Sequence, residues 1–352
     1  MKRIALFLAA ALATVGVFAQ NLNKNELKQL QAFLNEPAKE AATNAEALKI
    51  TDLKAPATWE GITIANGHVT DIKWNDKKLG GALNLAGFSA LQTVDVSRNA
   101  ITSLTVANDA ALTELNASRN KITEVNLSGC GALVKLNLNN NRISEFALEA
   151  VPFIKTINIA SNNLVDLNLA SSSTLEYLNC QSNRLENLSV SNCTALKTLY
   201  CGYNKLSTLD LSGVTALQNL NCDSNNISNM IVSGLPSLST FLCSDNNMKQ
   251  LGVRDCENLL DLVCSYNDLT TLSVVQCPQL LYVDCSYNDL ESLNLSNQTF
   301  LQRLICNNNQ LLTLDVSFDQ NLTYVNCRYN NIVTFMNQAC PSLRMIAGEY
   351  NW

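Results

Sequence analysis

The chain has 352 residues, 24 Lys+Arg against 30 Asp+Glu for a formal net charge of −6, 47% hydrophobic residues and a single histidine. The acidic balance argues against general nucleic-acid or anionic-membrane binding, and any Ser-His-Asp or Cys-His catalytic set would have to run through that one His. Length alone would suggest two or three domains, but a strict internal repeat overrides that prior.

The chain opens MKRIALFLAAALATVGVFAQ: a basic start at Lys2 and Arg3, an apolar run from Ile4 to Val17, and a small-residue cleavage site around Val17-Phe18-Ala19. Residues 1–19 therefore read as an export signal. The apolar run is shorter than the roughly 18–20 residues of a spanning helix. No later run could span a membrane, and no cysteine follows the cleavage site to carry a lipid. The expectation is an exported protein, secreted, held at a cell surface or periplasmic, with no membrane span.

Residues 20–90 read as an N-terminal cap. In NKNELKQLQAFLNE, Leu27, Leu30 and Leu34 share a helical face that ends before Pro37, and AKEAATNAEALKI offers a second helix. WEGITI and GHVTDIKW follow, with Trp59 and Trp74 as expected core residues.

From there Leu or Ile falls at 91, 112, 133, 154, 175, 196, 217, 238, 259, 280, 301, 322 and 343, a period of 21 without a slip. Counting Leu280 as position 1, apolar residues recur at positions 4, 6, 11, 14 and 16, here Val283, Cys285, Leu290, Leu293 and Leu295, and position 9 is Asn in every unit. Positions 3 to 6 alternate, as a strand with one buried face does. No unit of this size buries its apolar face alone, so stacked units must do it for one another, pairing their strands into a parallel sheet. An inward Asn offers one acceptor and two donor hydrogens to the turn leaving the strand, so the Asn column reads as structural. Positions 14–16 lack the length of a helix, which predicts an extended convex side.

This pattern, L-x-x-L-x-L/C-x-x-N-x-L, resembles the leucine-rich repeat family, and within it the bacterial 21-residue class with a cysteine at the sixth position found in internalin-type surface proteins. The resemblance covers residues 91–352, thirteen units of which the last is truncated. It implies a β-rich solenoid with a parallel concave sheet, an extended convex side and a small α/β cap. The W-x-G-I/V…V-T-x-I order of residues 59–72 resembles caps of such proteins, in which a hairpin pairs with the first repeat.

Eight cysteines, from Cys180 to Cys327, occupy position 6, where earlier units have Val96, Ala117, Leu138 and Ile159. Sulfur stands there for a small core hydrophobe. In-register parallel strands hold their Cβ vectors side by side, which suits neither a disulfide nor a converging metal site. Cys130, Cys193, Cys256, Cys277 and Cys340 share position 19, read as a half-buried turn slot. Only Cys256 and Cys277 there lie one repeat apart, and whether they bond is open.

No phosphate loop, G-x-G-x-x-G or H-E-x-x-H motif is present, so neither enzyme activity nor a cofactor is expected. Positions 3, 5, 7, 8 and 10 should face the concave side. Position 5 is mostly Asn in the early units, then turns apolar at Leu242, Val263 and Ile305, with Asp284 between them. Position 8 brings Tyr266, Tyr287 and Tyr329 beside Asp245, and position 3 adds Tyr282 and Tyr324. Position 10 shifts from Lys and Arg to Asp268 and Asp289. Exposed aromatic and aliphatic clusters ringed by charge mark binding surfaces. The sequence thus points to an exported, non-catalytic protein whose concave C-terminal half binds a macromolecular partner, most readily a protein. A surface glycan meeting the Tyr and Asp columns is the alternative, and a plain structural spacer a third.

Overall fold

The computed structural model describes residues 22–147, 151–296, 298–317, 319–338 and 340–351; the expected export signal and Trp352 lie outside them. Helix α1 (Lys24–Leu34) starts where the Asn23 side chain accepts the amide hydrogens of Asn25 and Glu26. It buries Leu30, Phe33 and Leu34. The second helical stretch shrinks to α2 (Asn44–Ala47). Lys49 turns left-handed just beyond it, and buried Asn44 ties its side chain to Phe33 and Gly80 instead of facing solvent.

Strands β1 (Ile62–Ala65) and β2 (His68–Lys73) form an antiparallel hairpin. Its two-residue Asn66-Gly67 turn has positive φ at both positions, the backbone that matches strand twist. β2 pairs in parallel with β4 (Thr93–Asp95), and β3 (Gly80–Asn84) with β5 (Ala100–Thr105) through a bulge at Gly81/Ala82. Residues 68–90 therefore already trace one turn of the solenoid, and α1 and β1 stand over it. Trp59 and Trp74 are buried, and Trp74 stacks on Phe33 with ring centroids 6.1 Å apart. The one histidine, His68, hydrogen-bonds Glu26 at 2.7 Å, and Glu26 also accepts the Val69 amide hydrogen. Its role is to hold α1 to the hairpin.

The concave sheet has 15 strands, each repeat adding three residues. Register is kept unit to unit, as in Leu220↔Phe241↔Leu262↔Val283↔Leu304. Between the sheet and the convex side, positions 1, 4, 6, 11, 14 and 16 form one continuous core; in the unit at Leu259 these are Leu259, Leu262, Cys264, Leu269, Leu272 and Val274, all buried. The convex side is extended as expected. It pairs into short parallel sheets, among them Gly80–Asn84 with Ala100–Thr105 and Asn229–Ser233 with Gln250–Arg254 and Thr271–Val275. Among the described residues no helix is long and apolar enough to cross a membrane.

Candidate functional site

Three side-chain columns shape the turn that leaves each concave strand. At position 5 an Asn or Asp oxygen accepts the backbone N–H two residues on: Asn179 from Gln181 at 3.1 Å, Asn221 from Asp223 at 3.0 Å, Asp284 from Ser286 at 3.0 Å. At position 8 every unit adopts the left-handed backbone, φ +53 to +63°. At position 9 the buried Asn closes the turn. Asn225 donates to the carbonyls of Cys201 (3.1 Å) and Cys222 (3.0 Å) and accepts the Leu206 amide hydrogen at 2.9 Å. Position 7, expected on the open face, is buried in several units (Ser97, Ser118, Ser265, Ser286, Asn307); in Ser118 and Ser286 the hydroxyl turns back onto the position-5 side chain, and Ser265 pairs with Ser244 of the preceding unit. The free concave surface is carried by positions 3, 5, 8 and 10.

All thirteen cysteines are free. The position-6 thiols are fully buried, and burial pushes the Cys180 thiol up to about 12. Position 19 is deeper than the sequence suggests: Cys130, Cys193, Cys256 and Cys277 are buried there. The thiols of Cys130 and Cys193 donate to the Val106 and Leu169 carbonyls of the preceding unit, at 3.0 and 3.1 Å. The same buried column contains Asp109 and Asp319, which sequence reasoning passed over. Each leaves one carboxylate oxygen without a partner, and burial pushes both carboxyls up to about 7. Among the described residues no cluster of His, Cys, Asp or Glu could hold a metal ion.

On the concave C-terminal half the tyrosines meet as pairs. Tyr266 and Tyr287 stack with centroids 4.3 Å apart and 8° between planes, and Tyr329 stacks on Tyr350 at 4.6 Å and 4°. The rings stay exposed, at 56, 43 and 50% for Tyr266, Tyr287 and Tyr329. In the position-3 column the guanidinium of Arg303 sits between Tyr282 and Tyr324, 5.5 Å from each ring centroid. Arg303 was not singled out by sequence; counting the position-3 column at intervals of 21 would have found it. Leu242, Val263 and Ile305 lie half-buried in the strands between these columns.

The aspartates divide by column. Asp268 and Asp289 stand exposed at the rim, Asp289 accepting from the Gln310 amide at 3.0 Å. Asp245 is not at the rim: it occupies the tyrosine column itself, next to Tyr266, and accepts from the Ser224 hydroxyl at 2.7 Å. Asp284 lies in the strand under Tyr282, whose hydroxyl reaches it at 3.4 Å.

A separate hollow of about 560 Å³ lies on the N-terminal part of the concave face, lined by Asp71, Asp95, Glu114, Asn116 and Lys135 among others. Some of its charged groups are already engaged: Lys135 with Glu114 at 2.7 Å, and Asp71 with the hydroxyls of Thr70 (2.8 Å) and Thr93 (2.5 Å). Part of its polar lining is thus already paired, whereas the rings of Tyr266, Tyr287 and Tyr329 stand exposed, which makes the tyrosine face the better candidate.

Comparison with known proteins agrees with the architecture. A family profile described as Leucine Rich repeats (2 copies) matches residues 173–213. No curated protein matches the chain. Solved structures of similar fold include a leucine-rich repeat protein of Leptospira interrogans, 20% identical over 77% of this chain and 76% of that one, with a TM-score of 0.61. Another is the functional domain of InlJ from Listeria monocytogenes, which includes a cysteine ladder: 24% identity, 84% and 75% coverage, TM-score 0.52. A third is the internalin InlF of the same organism, with 20% identity, 86% and 92% coverage and a TM-score of 0.59. With its unbroken 21-residue register, its asparagine column and its buried sulfurs, the chain has the leucine-rich repeat fold, and is similar in that fold to internalins, one of them with a cysteine ladder.

Proposed function

We propose that this is an exported protein without chemistry of its own, which binds a protein partner on the concave face of repeats 8–12. The observation that carries the reading is the backbone under the tyrosines. Tyr266, Tyr287 and Tyr329 sit at φ +54 to +55°, where Asn or Gly would be less strained. An aromatic kept in a strained, exposed position serves something other than the fold. Leu242, Val263 and Ile305 add to this, since each forgoes the turn hydrogen bond that Asn makes at position 5. Within each stacked pair the inner faces cover one another, so each ring offers a partner its outer face, its edge and its hydroxyl beside these aliphatic side chains.

The test is capture of secreted and surface proteins with residues 20–352 as bait, followed by affinity measurements on variants. Tyr266→Ala or Tyr287→Ala is expected to weaken binding by about 1–2 kcal/mol or more. Reversing Asp268 and Asp289 should mainly change association rate and salt dependence. Arg98 and Arg119, in the same column at the far end, should be silent. Loss of binding in the arginine variants with the tyrosine variants unaffected would move the site to the N-terminal half and refute this reading.

A further inference from the structure

Two columns cross the same three units with the same spacing. In the position-3 column the order is Tyr282, Arg303, Tyr324, and the guanidinium of the middle unit lies between the two rings, 5.5 Å from each centroid. In the position-8 column the order is Tyr287, Asn308, Tyr329. Here the middle residue is too short to fill the space between rings two strands apart, about 9–10 Å at ordinary strand spacing. Each ring has its far side covered, Tyr287 by Tyr266 and Tyr329 by Tyr350, so one face of each is turned toward the gap above Asn308.

We propose that this gap receives one arginine side chain of the protein partner, in the way the fold seats its own Arg303 one column away. The proposal rests on the concave-face reading and names the chemistry of its central contact. A planar cation between two ring faces needs about 3.5–4 Å on each side, which the gap supplies. Ring faces carry negative potential and attract cations. The exposed carboxylates of Asp268 and Asp289 border the same edge of the face. The nearby cations are already engaged: Arg303 lies between its own tyrosines, and Arg328 forms a two-point pair with Glu349. Residues 217–352 contain 12 acidic and 5 basic side chains, so the surroundings favour a positive guest.

The experiment uses the full chain from residue 20 with 13C-labelled tyrosine rings, titrated with N-acetyl-arginine methylamide and followed by NMR. The ring signals of Tyr287 and Tyr329 should move saturably while exposed Tyr203 stays still. The citrulline counterpart, which has the same shape without the charge, should bind about fivefold or more weakly, and neutral N-acetyl-tyrosine methylamide or a methyl glycoside should not compete. Asn308→Arg, which places a guanidinium of the chain's own in the gap, should abolish the shifts, whereas Asn308→Ala should keep them; thermal melts confirm that both variants fold. Equal shifts at Tyr203, equal binding of citrulline or the neutral aromatic, or unchanged binding in Asn308→Arg would each overturn the proposal. The ring shifts need no partner, while partner affinity in Tyr266→Ala reports on the face as a whole. A failed slot therefore leaves the proposed face standing, and a failed face does not erase the slot's preference for cations.

Discussion

Asn221 and Asn225 stand four residues apart and carry different amounts of structure. Asn225 is buried, accepts the Leu206 amide hydrogen and donates to the Cys201 and Cys222 carbonyls across two units; Asn225→Ala leaves the buried Leu206 amide unpaired and takes one donor from each carbonyl, which Asn204 and Asn246 still serve, at a cost on the order of 1–3 kcal/mol. Asn221 is half-exposed and accepts one amide hydrogen, from Asp223, so Asn221→Ala should cost about 0.5–1 kcal/mol. Denaturant melts of the two variants should rank them in that order, and the reverse order would contradict the assigned columns. The position-8 tyrosines predict the opposite sign. Tyr203 is exposed, at φ +56°, and its column neighbours are Ser182 and Ser224 rather than aromatic rings. Tyr203→Asn should therefore stabilise by about 0.5–1 kcal/mol, read as a raised denaturation midpoint.

The corner at position 19 behaves as an element with a common requirement, burial against the preceding unit. Cysteine meets it with a thiol that donates to a carbonyl. Asp109 and Asp319 meet it best as neutral acids, since burial pushes both carboxyls up to about 7, with the charge of Asp315 adding to the shift at Asp319. The folded chain thus holds protons that the unfolded chain releases near the ordinary Asp value. Stability from these two groups is full below about pH 4, falls as pH rises toward 7, and is level above. The melting temperature should be higher at pH 5 than at pH 8, and Asp109→Asn with Asp319→Asn should flatten that difference by about 2–4 °C or more. This corner also shows where legibility ended. Period and asparagine turn were readable because each repeats thirteen times, and the sulfur core because it repeats in eight consecutive units. Asp109 and Asp319 are two exceptions in a mixed column, and nothing in a mixed column says how deep it lies. The tyrosine columns were readable for the same reason as the core. The left-handed backbone beneath them was not, because Arg, Ser, Asp, Asn and Tyr share position 8 without the Gly or Asn excess that normally announces positive φ. The Arg303 sandwich needed two columns to be compared across three units.

At the scale of the whole molecule the solenoid is one continuous core. With twelve of the thirteen thiols buried and only Cys340 half-exposed, a thiol reagent should label the folded chain at Cys340 or not at all, and all thirteen sites once denaturant removes the core. Failure to label after denaturation without reductant would mean that the ladder is oxidised. The asparagine column adds a direction to this core. Each Asn reaches back: Asn246 serves the Cys222 carbonyl and the Ile227 amide of the unit before it, as Asn225 serves Cys201 and Leu206. A unit whose C-terminal neighbour is pulled away loses the clamp on its own turn, whereas one whose N-terminal neighbour is removed keeps it. Under tension the chain should therefore unravel more readily toward its N-terminus than away from it. Each released 21-residue unit would lengthen the tether by roughly 7 nm, and a single-molecule trace of evenly spaced steps would record the molecule coming apart as a ratchet run backwards.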